Sequence, residues 1–166
     1  METYFEIKYI HQLKWKYESV EFDEEQEKPQ VYVSTADLLP MMKLLRENPI
    51  WSFDRMANIT AVDYKDYLEM VYNLYSRRYN KWLTVKVKLD REKPEIESMT
   101  QVWTGTEFEE REIFDLMGIN FLHHPDMRRI LMPDDYSEYP LRKDFVPLVP
   151  KIEGGVLTWH KQKSSS

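Results

Sequence analysis

The sequence predicts an α+β fold, mostly antiparallel sheet packed with helices, followed by an extended aperiodic C-terminal arm. Three observations carry that prediction. Successive segments from residue 58 alternate apolar with polar and are joined by short polar turns, the mark of an antiparallel meander. Two segments, STADLLPMMKLLRENP and TGTEFEEREIFDLMG, repeat their apolar residues at helical spacing. Beyond Gly118 neither period survives, and five of the nine prolines fall there.

Taken in order, residues 3–22 place Leu13, Trp15 and Tyr17 opposite Lys14, Lys16 and Glu18, which predicts strand with a break near His11. The acidic run DEEQEKP (23–29) has nothing apolar to bury and reads as a solvated loop before a short strand, VYV. Leu38, Met41, Met42 and Leu45 then define a helix; with Asp37 as N-cap, Pro40 lies in its first turn and Pro49 follows its end. Four strands are expected next: NITAVDY, YLEMVYNLYS, WLTVKVKLD and EIESMTQVW. In the third, Leu83, Val85, Val87 and Leu89 oppose Thr84, Lys86 and Lys88, so one face of the sheet is buried and the other wet. SRRYNK (76–81) and REKP (91–94) are the turns. In the second helix, Thr106 and Glu109 have capping-box spacing, and Gly118 suits a left-handed stop. Ile113, Leu116 and Met117 form its apolar stripe; Glu107, Arg111 and Asp115 form a charged one.

The expected organisation is an α+β domain over 1–117, an arm over 118–160 and a free tail over 161–166. The arm carries Phe121, Ile130, Leu131, Met132, Tyr136, Tyr139, Leu141 and Phe145, which are costly to leave in water. It is therefore expected to bury them against another protein, with some packing back on its own domain, and to be more protease-sensitive than the domain in the isolated chain.

Composition narrows the function. The chain of 166 residues has no cysteine, which excludes disulfides, thiolate zinc sites and cysteine-ligated clusters on it. A net charge of −6 disfavours a nucleic-acid partner. No apolar run approaches the roughly 18 residues that span a bilayer, and the start METYFEIKYIHQ lacks a leader pattern. Four glycines leave no phosphate-binding loop. Glu110, Glu112 and Asp115 are candidate acids, but Arg111 beside them is expected to keep them ionised, which argues against acid–base catalysis. His123, His124 and Asp126 are metal-ligand types, yet neighbouring histidines on an extended chain point apart. Arg128, Arg129, Arg142 and Lys143 alternate with Asp126, Asp134, Asp135 and Asp144, a mixed field suited to salt-bridged packing or protein docking.

The run EREIFDLMGINFLHHPDMRRIL, with MPDDY and PLRKDF after it, resembles the signature of the 30-kDa subunit family of respiratory complex I. The likeness is dense from Trp103 to Phe145, with echoes upstream in FDRMANITAVDY and VYNLYS. It departs where TEFE replaces the small residue, Asn and Trp that family members often carry before ERE, and in lacking a long C-terminal extension. The resemblance implies a non-catalytic subunit of the peripheral arm of a proton-translocating NADH-, ferredoxin- or NAD(P)H-linked quinone oxidoreductase, on the cytoplasmic side of the membrane or its organellar equivalent. It implies no cofactor on this chain, the iron–sulfur clusters and quinone belonging to partner subunits, which are the quinone-site and terminal-cluster subunits. The family signature falls on Glu110, Arg111, Glu112, Asp115, His124, Pro125, Arg128, Arg129, Leu131, Pro140, Leu141, Arg142, Lys143 and Asp144, carried over as assembly residues. A related subunit of an energy-converting hydrogenase or formate hydrogenlyase is the alternative.

Overall fold

Period-two alternation in three consecutive segments builds the centre of the molecule, which the computed structural model describes over residues 10–23 and 29–161. Strands β3 (Arg55–Asp63), β4 (Tyr67–Ser76) and β5 (Lys81–Asp90) form the expected antiparallel meander. Across β4 and β5 the pairs Leu68–Leu89, Met70–Val87, Tyr72–Val85 and Leu74–Leu83 lie on one buried face. The opposite face is wetter: Asn73 bridges Asn58 and Thr84 in a side-chain ladder of 2.7 and 2.8 Å. Strands β1 (Glu21–Asp23) and β2 (Gln30–Tyr32) extend the sheet to the order β1-β2-β5-β4-β3, with β2 parallel to β5. Most of the acidic run between them, residues 24–28, lies outside the described region.

Helix α2 (Thr35–Glu47) lays Leu38, Met41, Met42 and Leu45 into the core, each fully buried. It begins earlier than expected. Ser34 is the N-cap, its Oγ accepting from the Asp37 N–H at 3.2 Å, while Asp37 accepts the Ser19 hydroxyl at 2.5 Å. Pro40 thus lies inside the helix, where it withholds one backbone donor from the ladder.

Two further elements differ from expectation. A helix, α1 (Gln12–Lys16), stands where strand was expected; residues 3–9 of that segment lie outside the described region. Ile10, Leu13 and Tyr17 are the buried residues, at helical spacing, and Trp15 is 91% exposed, so the alternation of Leu13, Trp15 and Tyr17 does not report burial. In EIESMTQVW only β6 (Glu95–Glu97) is strand, and it leaves the main sheet to pair in parallel with β7 (Asn120–Leu122). A 3₁₀ turn, Met99–Gln101, follows because Ser98 caps it by accepting from the Thr100 N–H.

Helix α3 (Glu107–Met117) continues out of a 3₁₀ turn at Thr104–Thr106. The expected capping box is not formed: Thr106 is already helical, and its hydroxyl donates to the Trp103 carbonyl at 2.9 Å. Gly118 does end the helix, at φ 69°. The arm then runs irregularly back over α3 and closes in a hairpin of β8 (Leu148–Glu153) and β9 (Val156–Lys161). This hairpin departs from the aperiodic arm that the sequence predicts. Gly154 and Gly155, at φ 60° and 84°, supply the two left-handed residues its tight turn needs. Tyr136 and Trp159 meet edge-on at 5.1 Å and hold the hairpin to the arm. Of the tail expected at 161–166, only Lys161 is described, as the last residue of β9.

Candidate functional site

The charged stripe of α3 is the face that holds the arm. Asp115 is fully buried, and its Oδ2 accepts the consecutive N–H groups of Ile130, Leu131 and Met132 at 3.0, 2.6 and 2.8 Å. Oδ1 accepts Arg129 Nη1 at 2.6 Å, and the same nitrogen reaches the Asp115 carbonyl. Burial pushes the Asp115 carboxyl up, but these N–H donors and Arg129 outweigh it and hold the group below its ordinary range. One turn earlier, Arg111 donates to the Arg128 and Arg129 carbonyls at 3.2 and 3.3 Å. Helix side chains therefore supply both the acceptor and the donor that the arm's backbone lacks.

At the helix C-terminus the arm crosses again. Arg142 Nε donates to the Met117 carbonyl at 2.7 Å and Leu141 N to the Leu116 carbonyl at 3.0 Å, satisfying groups a helix end leaves open. Tyr139, Pro140, Leu141 and Arg142 make this turn, closed by Arg142 N on the Tyr139 carbonyl at 3.1 Å. The Tyr139 ring lies against Gly118, with the guanidinium groups of Arg129 and Arg142 at 5.4 and 4.9 Å from its centre. A third fastening sits at the end of β3. Asp63 binds the Lys143 N–H at 2.8 Å, the Lys65 N–H at 2.7 Å and the Arg91 guanidinium, whose other end takes Asp144 at 2.7 Å. Burial raises the Asp63 carboxyl, but Arg91 and the two N–H groups prevail and bring it down to about 2.

The remaining candidates are dispersed. Glu110 points away from the arm and is fully buried, accepting the Ser98 hydroxyl and the Met99 N–H at 2.6 Å each. Burial raises its carboxyl to about 7 against these bonds, and Arg111, turned to the arm, does not hold it ionised as expected. Glu112, one turn from buried Asp115, is exposed. His124 takes the Asp126 N–H on Nδ1 at 3.0 Å, so its Nε2 carries the proton and donates to the Glu107 carbonyl at 3.1 Å. Pro125 lies in the turn between them. His123 faces Glu97 at 2.9 Å, away from His124. Arg128 turns its side chain outward onto Asp126, and Leu131 is 60% exposed. Asp63 and Arg91 were missed by sequence reasoning, and their separation of 53 and more residues from the arm leaves no periodic signal.

The Glu110 environment predicts a pH dependence. An unfolded carboxyl near 4.5 and a folded one near 7 mean that the folded state keeps the proton longer. The stability Glu110 contributes is complete below pH 4.5 and is lost as pH rises through 7, by roughly 3 kcal/mol in all. Glu110→Gln keeps an acceptor without the charge. Relative to the parent it should gain stability steadily between pH 5 and 8 in urea melts; parallel curves would show Glu110 ionised throughout.

Comparison with known proteins places this geometry in a family. The model described as respiratory-chain NADH dehydrogenase, 30 Kd subunit, matches residues 31–150, which include α3, the three fastenings and most of the arm. An NADH-quinone oxidoreductase subunit from Moorella thermoacetica is 42% identical over 139 residues, covering 82% of this chain and 93% of that one. The mitochondrial NADH-ubiquinone oxidoreductase 30.4 kDa subunit of Neurospora crassa is 40% identical over 118 residues, 69% of this chain and 41% of its own longer one. Among solved structures, a chain of an archaeal membrane-bound sulfane sulfur reductase superposes with a TM-score of 0.71 at 25% identity, over 83% of this chain and 84% of that one. A trypsin-resistant fragment of Nqo5 shares the fold, with a TM-score of 0.62 at 23% identity over 72% of this chain and 96% of the fragment. The chain thus belongs to the family of respiratory-chain NADH dehydrogenase 30-kDa subunits.

Proposed function

We propose that this chain is a non-catalytic peripheral-arm subunit of a proton-translocating quinone oxidoreductase linked to NADH, ferredoxin or NAD(P)H. The observation that carries the reading is the family match over residues 31–150, which spans the clasped helix and arm together. In this role the chain holds the quinone-site and terminal iron–sulfur subunits in register, and the redox groups belong to those partners. Positional accuracy of that kind has a large effect on rate, since displacement of reacting centres by about 1 Å costs large factors. Two features support a partner-facing arm. The backbone of residues 128–132 is already bonded to α3, and Leu131, Leu141 and Ile152 remain 60, 60 and 78% exposed. An arm fixed from inside and apolar outside suits docking at low entropic cost. No helix among the described residues is long and apolar enough to cross a membrane. In the proposed role the chain is attached through the complex, on the cytoplasmic side or its organellar equivalent.

Arg142→Ala tests the assembly role. Loss of its bond to Met117 and its stacking on Tyr139 should lower the amount of assembled complex on native gels several-fold, with turnover per assembled complex nearly unchanged. Normal assembly with lost turnover would contradict the reading. A second reading, in which the host complex is a membrane-bound reductase or hydrogenase of another kind, is favoured by the likeness to a chain of the archaeal sulfane sulfur reductase. A nickel-binding or sulfur-reducing catalytic subunit recovered with the chain would decide for it.

A further inference from the structure

Strand β3 lies at the edge of the sheet, and no described strand pairs with its outer side. Beside it, two hollows of about 310 and 340 Å³ run end to end and meet at Glu109. The first follows Asn58 to Ala61, floored by Ile113, Leu116 and Leu141; the second follows Arg55 to Ala57, under Trp103. On this side of β3 the Ile59 N–H is taken by the Glu109 carboxylate. Burial raises the Glu109 carboxyl, and the charge of Glu112 raises it further. A carboxylate raised by burial and by a neighbouring acid is stabilised by an incoming cation. The far end carries Arg46 and Arg55.

We infer that the groove between β3 and α3 receives an extended segment of a neighbouring subunit, whose Lys or Arg pairs with Glu109 and Glu112 and draws Glu109 off the Ile59 N–H, so that the segment lies along Ile59–Ala61 as an added strand. Main-chain bonds to an edge freed in this way supply such docking with affinity, and pockets for alternate side chains supply selectivity. Apolar side chains flanking the cation enter between Leu116 and Leu141. The bulge between Met56 and Asn58 breaks the register at the other end, which limits pairing to one stretch and blunts the edge against promiscuous partners. Charge sets the choice of occupant, since an acidic or uncharged strand leaves the two carboxylates uncompensated.

This inference rests on the subunit reading, and one experiment separates their failures. The full chain, carrying a photo-cross-linking residue at Thr60 or at Glu112 in separate preparations, is purified in its complex, irradiated and mapped by mass spectrometry. Both positions should cross-link to one continuous segment of a single partner subunit that contains a Lys or Arg. Glu112→Lys should then weaken retention of the chain in salt washes about tenfold, and reversing the charge on the mapped segment should restore it. A complex recovered without cross-links, or with links to this chain's own termini, or to scattered segments, overturns the groove alone. A chain recovered with no complex overturns the function reading, and the groove with it.

Discussion

Asp115→Ala is expected to cost about 3–5 kcal/mol and to release the arm, the scale for removing one partner of a buried ion pair. The substitution strips the acceptor from three consecutive N–H groups and leaves the Arg129 guanidinium, 11% exposed, without its carboxylate. The loss is local in consequence. The meander and α2 make none of these bonds, so the sheet core should persist while residues 126–145 open. Trypsin reports this directly: in the parent chain the Arg128 and Arg129 carbonyls are held by Arg111 and the Arg129 side chain is shielded, whereas the variant should gain rapid cleavage after both. Asp115→Asn, which keeps one acceptor, should fall between. Unchanged protection in Asp115→Ala would mean that the arm is held from elsewhere.

Gly118→Ala should produce the second large effect. At φ 69° a side chain costs about 1–2 kcal/mol. A Cβ there would also lie 2.5 to 2.7 Å from three atoms of the Tyr139 ring. The ring cannot yield cheaply, because Arg129 and Arg142 flank it; overpacking of this kind adds about 1–3 kcal/mol. A double-mutant cycle separates the two contributions. Tyr139→Ala removes the clash and leaves only the backbone strain, so the pair should be less destabilised than the sum of the singles. Additive effects would place Tyr139 away from Gly118 in solution.

Much of the fold is legible in the residues, for reasons that differ by element. The meander is readable because a half-buried sheet imposes period two on β3 to β5, and α2 because its buried stripe is continuous. Helix α1 misleads, since Leu13, Trp15 and Tyr17 mimic a strand while Trp15 faces water. The terminal hairpin did leave a signal, two adjacent glycines between apolar segments, but Pro147 and Pro150 mask it; Pro150 is tolerated in the two-stranded ribbon. The clasp was legible in residue identity and not in meaning. Glu107, Arg111 and Asp115 at i, i+4, i+8 read as a charged stripe and no more, because charge at helical spacing cannot distinguish water from a polar backbone laid over it. The partners of Asp115 and Arg111 are largely main-chain groups of residues 128–132, and main-chain groups leave no trace in a sequence. Glu110 shows the converse: within the same ERE run it serves the 3₁₀ turn at Ser98 and Met99, on the opposite side of the helix from the arm.

That this chain works as a subunit among redox partners is tested most directly by purifying it, tagged, from its native membranes in mild detergent and identifying what accompanies it by mass spectrometry. The subunit reading predicts stoichiometric recovery of a quinone-site subunit and iron–sulfur-bearing subunits. Recovery of the chain alone, under conditions that keep other membrane complexes intact, would contradict it.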